Sequence, residues 1–194
     1  MARTRQFDER QALTAAILQF WEKGYEGTSL QDLEAAMGLT RTSIYNAFGN
    51  KRQLFERVLS CYQESVLASL FVAMDSAANI RDGVRRLLDA ALGIHFDKDN
   101  PGGCLVVLSV LESEQHDEHS RAMLEQTMQE LKRLLQSRLT QAKKTGELPA
   151  DLDAAGMATT IAATMAGMMV LGKAGYPKSA LRKTIGQVVR LLDQ

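Results

Sequence analysis

The sequence is poor in residues that stiffen, cross-link or break a chain. Three prolines and two cysteines occur in 194 residues. Two cysteines are too few for a disulfide scaffold and fit a reducing compartment. Lys+Arg and Asp+Glu are both 23, so no charge of one sign dominates and a globally basic nucleic-acid binder is excluded. Any DNA binding must be local. The start, Met1–Arg10, has no apolar run behind it, so a secretory signal is not expected and a cytoplasmic location is. The most apolar stretch, Ala154–Leu171, is threaded with Thr and Gly and falls short of the ~20 residues a span needs. No membrane partner is expected.

Apolar residues recur at three and four. Leu124, Met128, Leu131, Leu135 and Leu139 form one stripe, and Leu181, Ile185, Val188 and Leu192 another. That period specifies amphipathic helices, and alternating runs bounded by hairpin turns are absent. The expected fold is all-α with about nine helices, short in the first ~50 residues and longer afterwards. Breaks fall at Asp97–Gly103, Gly146–Asp151 and Gly175–Pro177, where Pro, Gly, Asp and Asn cluster.

Phe7–Gly24 reads as the first helix, with Leu13, Ile17 and Phe20 on one face. Thr28 is placed to cap a second, and Ser29 to Asp32 has capping-box spacing. A tight turn at Met37-Gly38-Leu39 separates Thr28–Ala36 from Thr40–Phe48, which is helix-turn-helix spacing. Ala35 or Ala36 would let the two helices approach, and Ile44 and Phe48 would anchor the inner face of the third. Its outer face carries Arg41, Thr42, Ser43, Tyr45 and Asn46. These are short hydrogen-bonding side chains suited to base edges or phosphates. Lys51 and Arg52 follow, while the acidic residues of this half lie outside the third helix.

The runs Gly24-Tyr25-Glu26-Gly27-Thr28, Gly38-Leu39-Thr40, Ile44-Tyr45-Asn46-Ala47-Phe48 and Asn50-Lys51-Arg52-Gln53-Leu54-Phe55 resemble the N-terminal domain of TetR/AcrR-family transcriptional regulators. The resemblance implies a three-helix DNA-binding domain, residues 1–50, and a helical bundle, residues 51–194, that binds ligand and dimerises. It implies phosphate contacts from Thr28, Tyr45 and Lys51. Thr40 would cap the recognition helix and touch phosphate, and Arg41, Thr42 and Ser43 would reach the major groove. Thr42 and Asn46 stand where the family often has Gly and His. An asparagine at 46 has the donor and acceptor to read adenine. Arg3 and Arg5 would form a minor-groove arm.

In the second half the resemblance implies a homodimer through the last two helices, about Asp151–Ala174 and Lys178–Asp193. Alanines from Ala154 to Ala166 and four methionines there give a smooth apolar surface. Cys104 follows Pro101-Gly102-Gly103 and opens a helix, a place that favours thiolate. Its segment resembles a subgroup whose members sense electrophiles, oxidants or copper through cysteine. The alternative is a small buried hydrophobe, the role assigned to Cys61. An apolar effector pocket is expected among Tyr62, Val66, Leu92, Phe96, Cys104, Leu108, Met123, Met165 and Met168. His116 and His119 have i,i+3 spacing but read as solvated, so no metal and no cofactor is assigned. His95 reads as a helix-end residue favoured by the dipole. The expected partners are a double-stranded operator and a small-molecule effector. A thiol enzyme using Cys104, or a helical adaptor, is the alternative to the resulting repressor.

Overall fold

The computed structural model describes residues 7–193, so Arg3 and Arg5 lie outside the described residues. These residues form nine α-helices and two short 3-10 turns, without strands. The helices are α1 (Glu9–Gly27), α2 (Leu30–Met37), α3 (Arg41–Phe48), α4 (Lys51–Asp75) and α5 (Ile80–His95), then α6 (Leu105–Leu111), α7 (Glu118–Lys144), α8 (Ala154–Lys173) and α9 (Lys178–Arg190).

Side-chain caps set most of the starts. Asp8, Ser29, Thr40, Asn50, Asn79, Asp117 and Asp153 each accept from backbone N–H groups in the first turn of the helix that follows. Each such cap is worth about 0.5–2 kcal/mol relative to alanine. The structure corrects the cap of α2: it is Ser29, closed by Asp32 into a reciprocal box. Thr28, one residue earlier, is 0% exposed and donates its hydroxyl to the Gly24 carbonyl at 2.7 Å. Gly24 itself bends α1 with φ +72°, so the chain continues past the expected stop in a kinked last turn.

Two apolar clusters hold the molecule together. One gathers Phe20, Leu33, Ile44, Leu54, Phe55 and Val58 from α1–α4. It is completed by Leu105, Val106 and Leu124 from α6 and α7, so the N-terminal head borrows core from the body. Leu33 and Met37 supply the inner face of α2, whereas Ala35 and Ala36 lie exposed and do not make the close approach expected of them. The other cluster joins α4, α5, α7, α8 and α9 through residues such as Leu70, Leu87, Leu135, Ile161 and Ile185. α4 serves both, with Leu54–Tyr62 in the first and Leu70–Met74 in the second.

By length and apolarity alone α8 matches a membrane span, more fully than its Thr and Gly content led us to expect. Its inner face, Ala158, Ile161, Met165, Met168 and Met169, is buried in the body core. Its outer face leaves Val170 and Leu171 exposed.

Candidate nucleic-acid interface and effector cavity

α3 is a two-turn helix held by its inner side. Ile44 and Phe48 are buried, while Arg41, Thr42, Tyr45 and Asn46 are exposed and Ser43 is half-buried. Thr40 Oγ1 accepts from the Ser43 N–H at 3.3 Å and lies 3.0 Å from the Ser43 hydroxyl, which pre-orients both oxygens. The phenol end of Tyr45 is available, the residue being 42% exposed. Gly38, in the left-handed region at φ +63°, turns the chain from α2 into α3. Sequence reasoning missed Glu34, whose carboxylate accepts from the Arg41 N–H at 2.5 Å and places a negative charge beside the start of α3.

Asn50 caps α4 and presents Lys51 at its first turn, where free N–H groups and the helix dipole favour an anion. The Lys51 ammonium lies 4.4 Å from the centroid of the Tyr25 ring. Thr28 sits nearby in sequence but its hydroxyl is committed inward. A phosphate contact from this side chain would break that buried hydrogen bond.

Polar contacts tie α1 and the first half of α4 to the loops around α6 and to the start of α7. Trp21 Nε1 donates to the Gly102 carbonyl at 3.0 Å, and Tyr25 N donates to Glu112 Oε2 at 3.4 Å. Arg52 pairs with Asp117 at 2.7 Å, and the Leu105 N–H reaches the Tyr62 hydroxyl at 3.4 Å. The capping bond from Ser120, with Arg52 adding to it, holds the Asp117 carboxyl down to about 2. His116, expected in solvent, is 5% exposed and stacks on Phe55 at 5.2 Å and against Tyr25 at 5.5 Å. Its apolar ring face fits a gap that the aromatic side chains of α1 and α4 leave open.

An apolar cavity of about 50 Å³ lies between α4, α5, α6, α7 and α8. Tyr62, Val66, Cys104 and Met165, all expected there, line it together with Leu67, Leu70, Val107 and Leu131. Five expected lining residues do not. Phe96 lies beyond the end of α5, 36% exposed, under the Lys178 ammonium. Leu108 and Met123 turn toward the head and pack on its core. Leu92 and Met168 are closed into the body core. The polar side chains on the wall are few: Tyr62, Cys104, Gln63 and Thr127, the last donating its hydroxyl to Gln63 at 2.7 Å. Burial, with the neighbouring Cys104 adding to it, pushes the Tyr62 phenol far above its ordinary value and keeps it protonated. Cys104 is the N-cap residue of α6 and makes no capping hydrogen bond. Cys61 is half-buried rather than a core residue.

The loop before Cys104 is bound on every side. Gly102 and Gly103 both adopt positive φ, +80° and +81°, which only glycine takes without strain. The Pro101 carbonyl accepts from Lys173 Nζ at 2.8 Å, and the Gly103 N–H donates to His95 Nδ1. The other side of the His95 ring faces the Gly172 backbone at the end of α8 and bonds to it. His95 is 7% exposed, and burial lowers its pKa from the ordinary imidazole value, with Lys173 adding to the effect. It is a neutral bridge, not the dipole-stabilised cation expected from its position. Among the described residues no group of His, Cys, Asp or Glu has metal-binding geometry.

Two family models match the chain. Residues 12–58 match the model for bacterial regulatory proteins of the tetR family, and residues 81–187 the tetracyclin repressor-like C-terminal domain. The HTH-type transcriptional repressor ComR of Escherichia coli K12 is 30% identical over 97% of this chain and 90% of its own. The uncharacterised HTH-type regulator YezE of Bacillus subtilis 168 is 27% identical over the full length of both. Among solved structures, a cysteine mutant of the regulator CifR in complex with 26-base-pair double-strand operator DNA is 34% identical. It covers 97% of this chain and 98% of that one, with a TM-score of 0.88. E. coli NemR in its reduced form shares the fold, at 18% identity and a TM-score of 0.83.

Proposed function

The chain belongs to the TetR family of bacterial transcriptional regulators, and from that premise we propose a homodimeric repressor that binds a palindromic operator and is released by a small apolar molecule or by modification of Cys104. The observation that carries the DNA reading is the outward face of α3. Five hydrogen-bonding side chains, none of them acidic, stand on it over a buried Ile44–Phe48 anchor. Arg41, Thr42, Ser43 and Asn46 read base edges. Tyr45, Lys51 and Thr40 hold phosphates and fix the register. Residues 1–50 form the DNA-binding unit and residues 51–194 the regulatory one, with α4 shared between their cores. Such a regulator works beside the chromosome, in the cytoplasm.

The outer face of α8 supports a dimer. A helix that is apolar all round needs cover on more than one side, and here Ala163, Gly167, Val170 and Leu171 remain exposed. A second copy applied through α8 and α9 covers them and gives the two-fold symmetry a palindrome demands. Recognition helices then stand about 34–36 Å apart, one turn of DNA.

The lining of the cavity supports an uncharged effector, because a charge placed there would meet no counter-charge. Occupying it parts α6 from α4 and α7. α6 carries Cys104 at one end and Glu112 at the other, so the same displacement reaches the head at Tyr25. A switch from mostly bound to mostly free requires several kcal/mol of differential affinity. Selection of duplexes from a random DNA pool, repeated with Cys104 alkylated, tests the reading. A palindrome recovered with the free thiol and lost on alkylation supports both parts. Equal recovery in the two arms returns Cys104 to a packing role, and no enrichment in either removes the operator.

A further inference from the structure

Tyr25 is half-buried, and both its ring and its backbone N–H are engaged. Its ring packs on Phe55 at 4.9 Å and Phe20 at 6.2 Å, with His116 at 5.5 Å. Its N–H is taken by Glu112. The carboxylate of Glu112 fills the space beside Gly24 that a Cβ would occupy, so the bend preceding the ring is braced from the body. The Lys51 ammonium rests on the ring, 4.4 Å from its centroid.

From this geometry we infer that Tyr25 is a positioning residue for DNA binding: its ring is the seat that holds the Lys51 ammonium at the start of α4, ready for a backbone phosphate. The inference rests on the DNA-binding reading above and adds the residue that acts through Lys51. A lysine has three donors on a long stem and loses much rotamer freedom when fixed. An ammonium over an aromatic face is attracted to the ring while its remaining donors stay available. Part of the ordering cost is therefore met before DNA arrives. Burial raises the Tyr25 phenol pKa, with Glu26 and Asp117 adding to the effect, so the ring stays neutral across the working pH range. The attraction belongs to the ring face, so phenylalanine serves equally and leucine does not.

The test uses the full chain and a mixed-sequence duplex long enough for both heads, since phosphate contacts are independent of sequence. Lys51→Ala is expected to reduce the slope of log affinity against log salt by about 0.9 per head. Tyr25→Leu is expected to weaken binding by roughly 2- to 30-fold per head. In the Lys51→Ala background it should cost nothing further, and Tyr25→Phe should bind as the wild type does. An equal loss from Tyr25→Leu in both backgrounds, or a loss from Tyr25→Phe, overturns the inference. So does a Lys51→Ala variant that binds normally, whereas wild-type protein that binds no duplex refutes the DNA-binding reading itself. Should Tyr25→Leu not fold, the wild-type NMR spectrum decides. The Lys51 side-chain methylene protons are expected to be displaced upfield by the ring, and unshifted signals overturn the seat.

Discussion

Replacing His95 with leucine keeps the side-chain volume and removes both of the ring's polar partnerships. The Gly103 N–H loses its acceptor and the Gly172 carbonyl one of its donors, in a site where His95 is 7% exposed. A buried unpaired group costs about 1–3 kcal/mol. The Gly172 carbonyl keeps its bond from the Gly175 N–H at 3.0 Å, so the Gly103 N–H is the group left unpaired. For a chain of this size each kcal/mol shifts the melting temperature by about 2–4 °C, so His95→Leu should melt roughly 2–12 °C lower. The effect carries a pH signature. With Nδ1 accepting from Gly103, the ring is neutral, and a second proton would set donor against donor. Burial lowers the folded-state pKa, so the unfolded chain binds this proton first. The contribution of His95 is complete above the unfolded value near 6.5 and is lost as pH falls through the lowered folded value. Paired carboxylates such as Asp75 and Asp117 also have lowered pKa values, and their contributions go at lower pH still. Melting followed by far-UV circular dichroism on acidification from neutral pH follows this loss. The gap between wild type and variant should narrow on acidification. A gap that stays constant, or a variant that melts with the wild type at neutral pH, would refute the bridging role.

Tyr45→Phe should weaken binding to all duplexes alike, through one lost phosphate contact, as read by titration across operator variants. Ser43→Ala should instead cost about 1–3 kcal/mol at a single base position. Uniform loss across variants would assign Ser43 to the Thr40 cap rather than to base reading. Gly24→Ala must both hold φ +72° and displace the Glu112 carboxylate, so it should destabilise the head and lower the melting temperature. A wild-type melting curve would mean that the bend relaxes freely. Ser29→Ala opens the capping box of α2 and should cost about 0.5–2 kcal/mol in denaturant titration.

The parts of the site that were legible in the sequence are those made by neighbours. Thr40 caps α3 three residues from the N–H that donates to it, Ile44 and Phe48 share one face by helical period, and Gly38 marks its turn locally. Contacts that join distant parts of the chain left no mark in the sequence. Trp21 and Gly102 lie 81 positions apart, and Tyr25 and Glu112 lie 87 apart. A histidine in a polar connection gives no local sign that it will stack on Phe55, so His116 read as solvated. His95 read as a helix-end cation because its partners, Gly103 and Gly172, offer only backbone. Phe96, Leu108 and Met123 are apolar residues at plausible positions. Which of two cores an apolar residue joins depends on the packing angle between helices, which periodicity does not fix.

The narrowness of the cavity has a consequence in time. Ligand sites usually enclose roughly 300–1,000 Å³, several times the space present here. With the cavity read as the effector site, a molecule of that size needs the helices to part further before it fits. Uptake then follows the opening rate, and the observed rate should level off as ligand concentration rises. Once the walls have closed again, the same barrier delays escape. On the proposed release by an effector, such a regulator would ignore fleeting exposure and answer a sustained one, remaining off its operator for a while after the stimulus has gone.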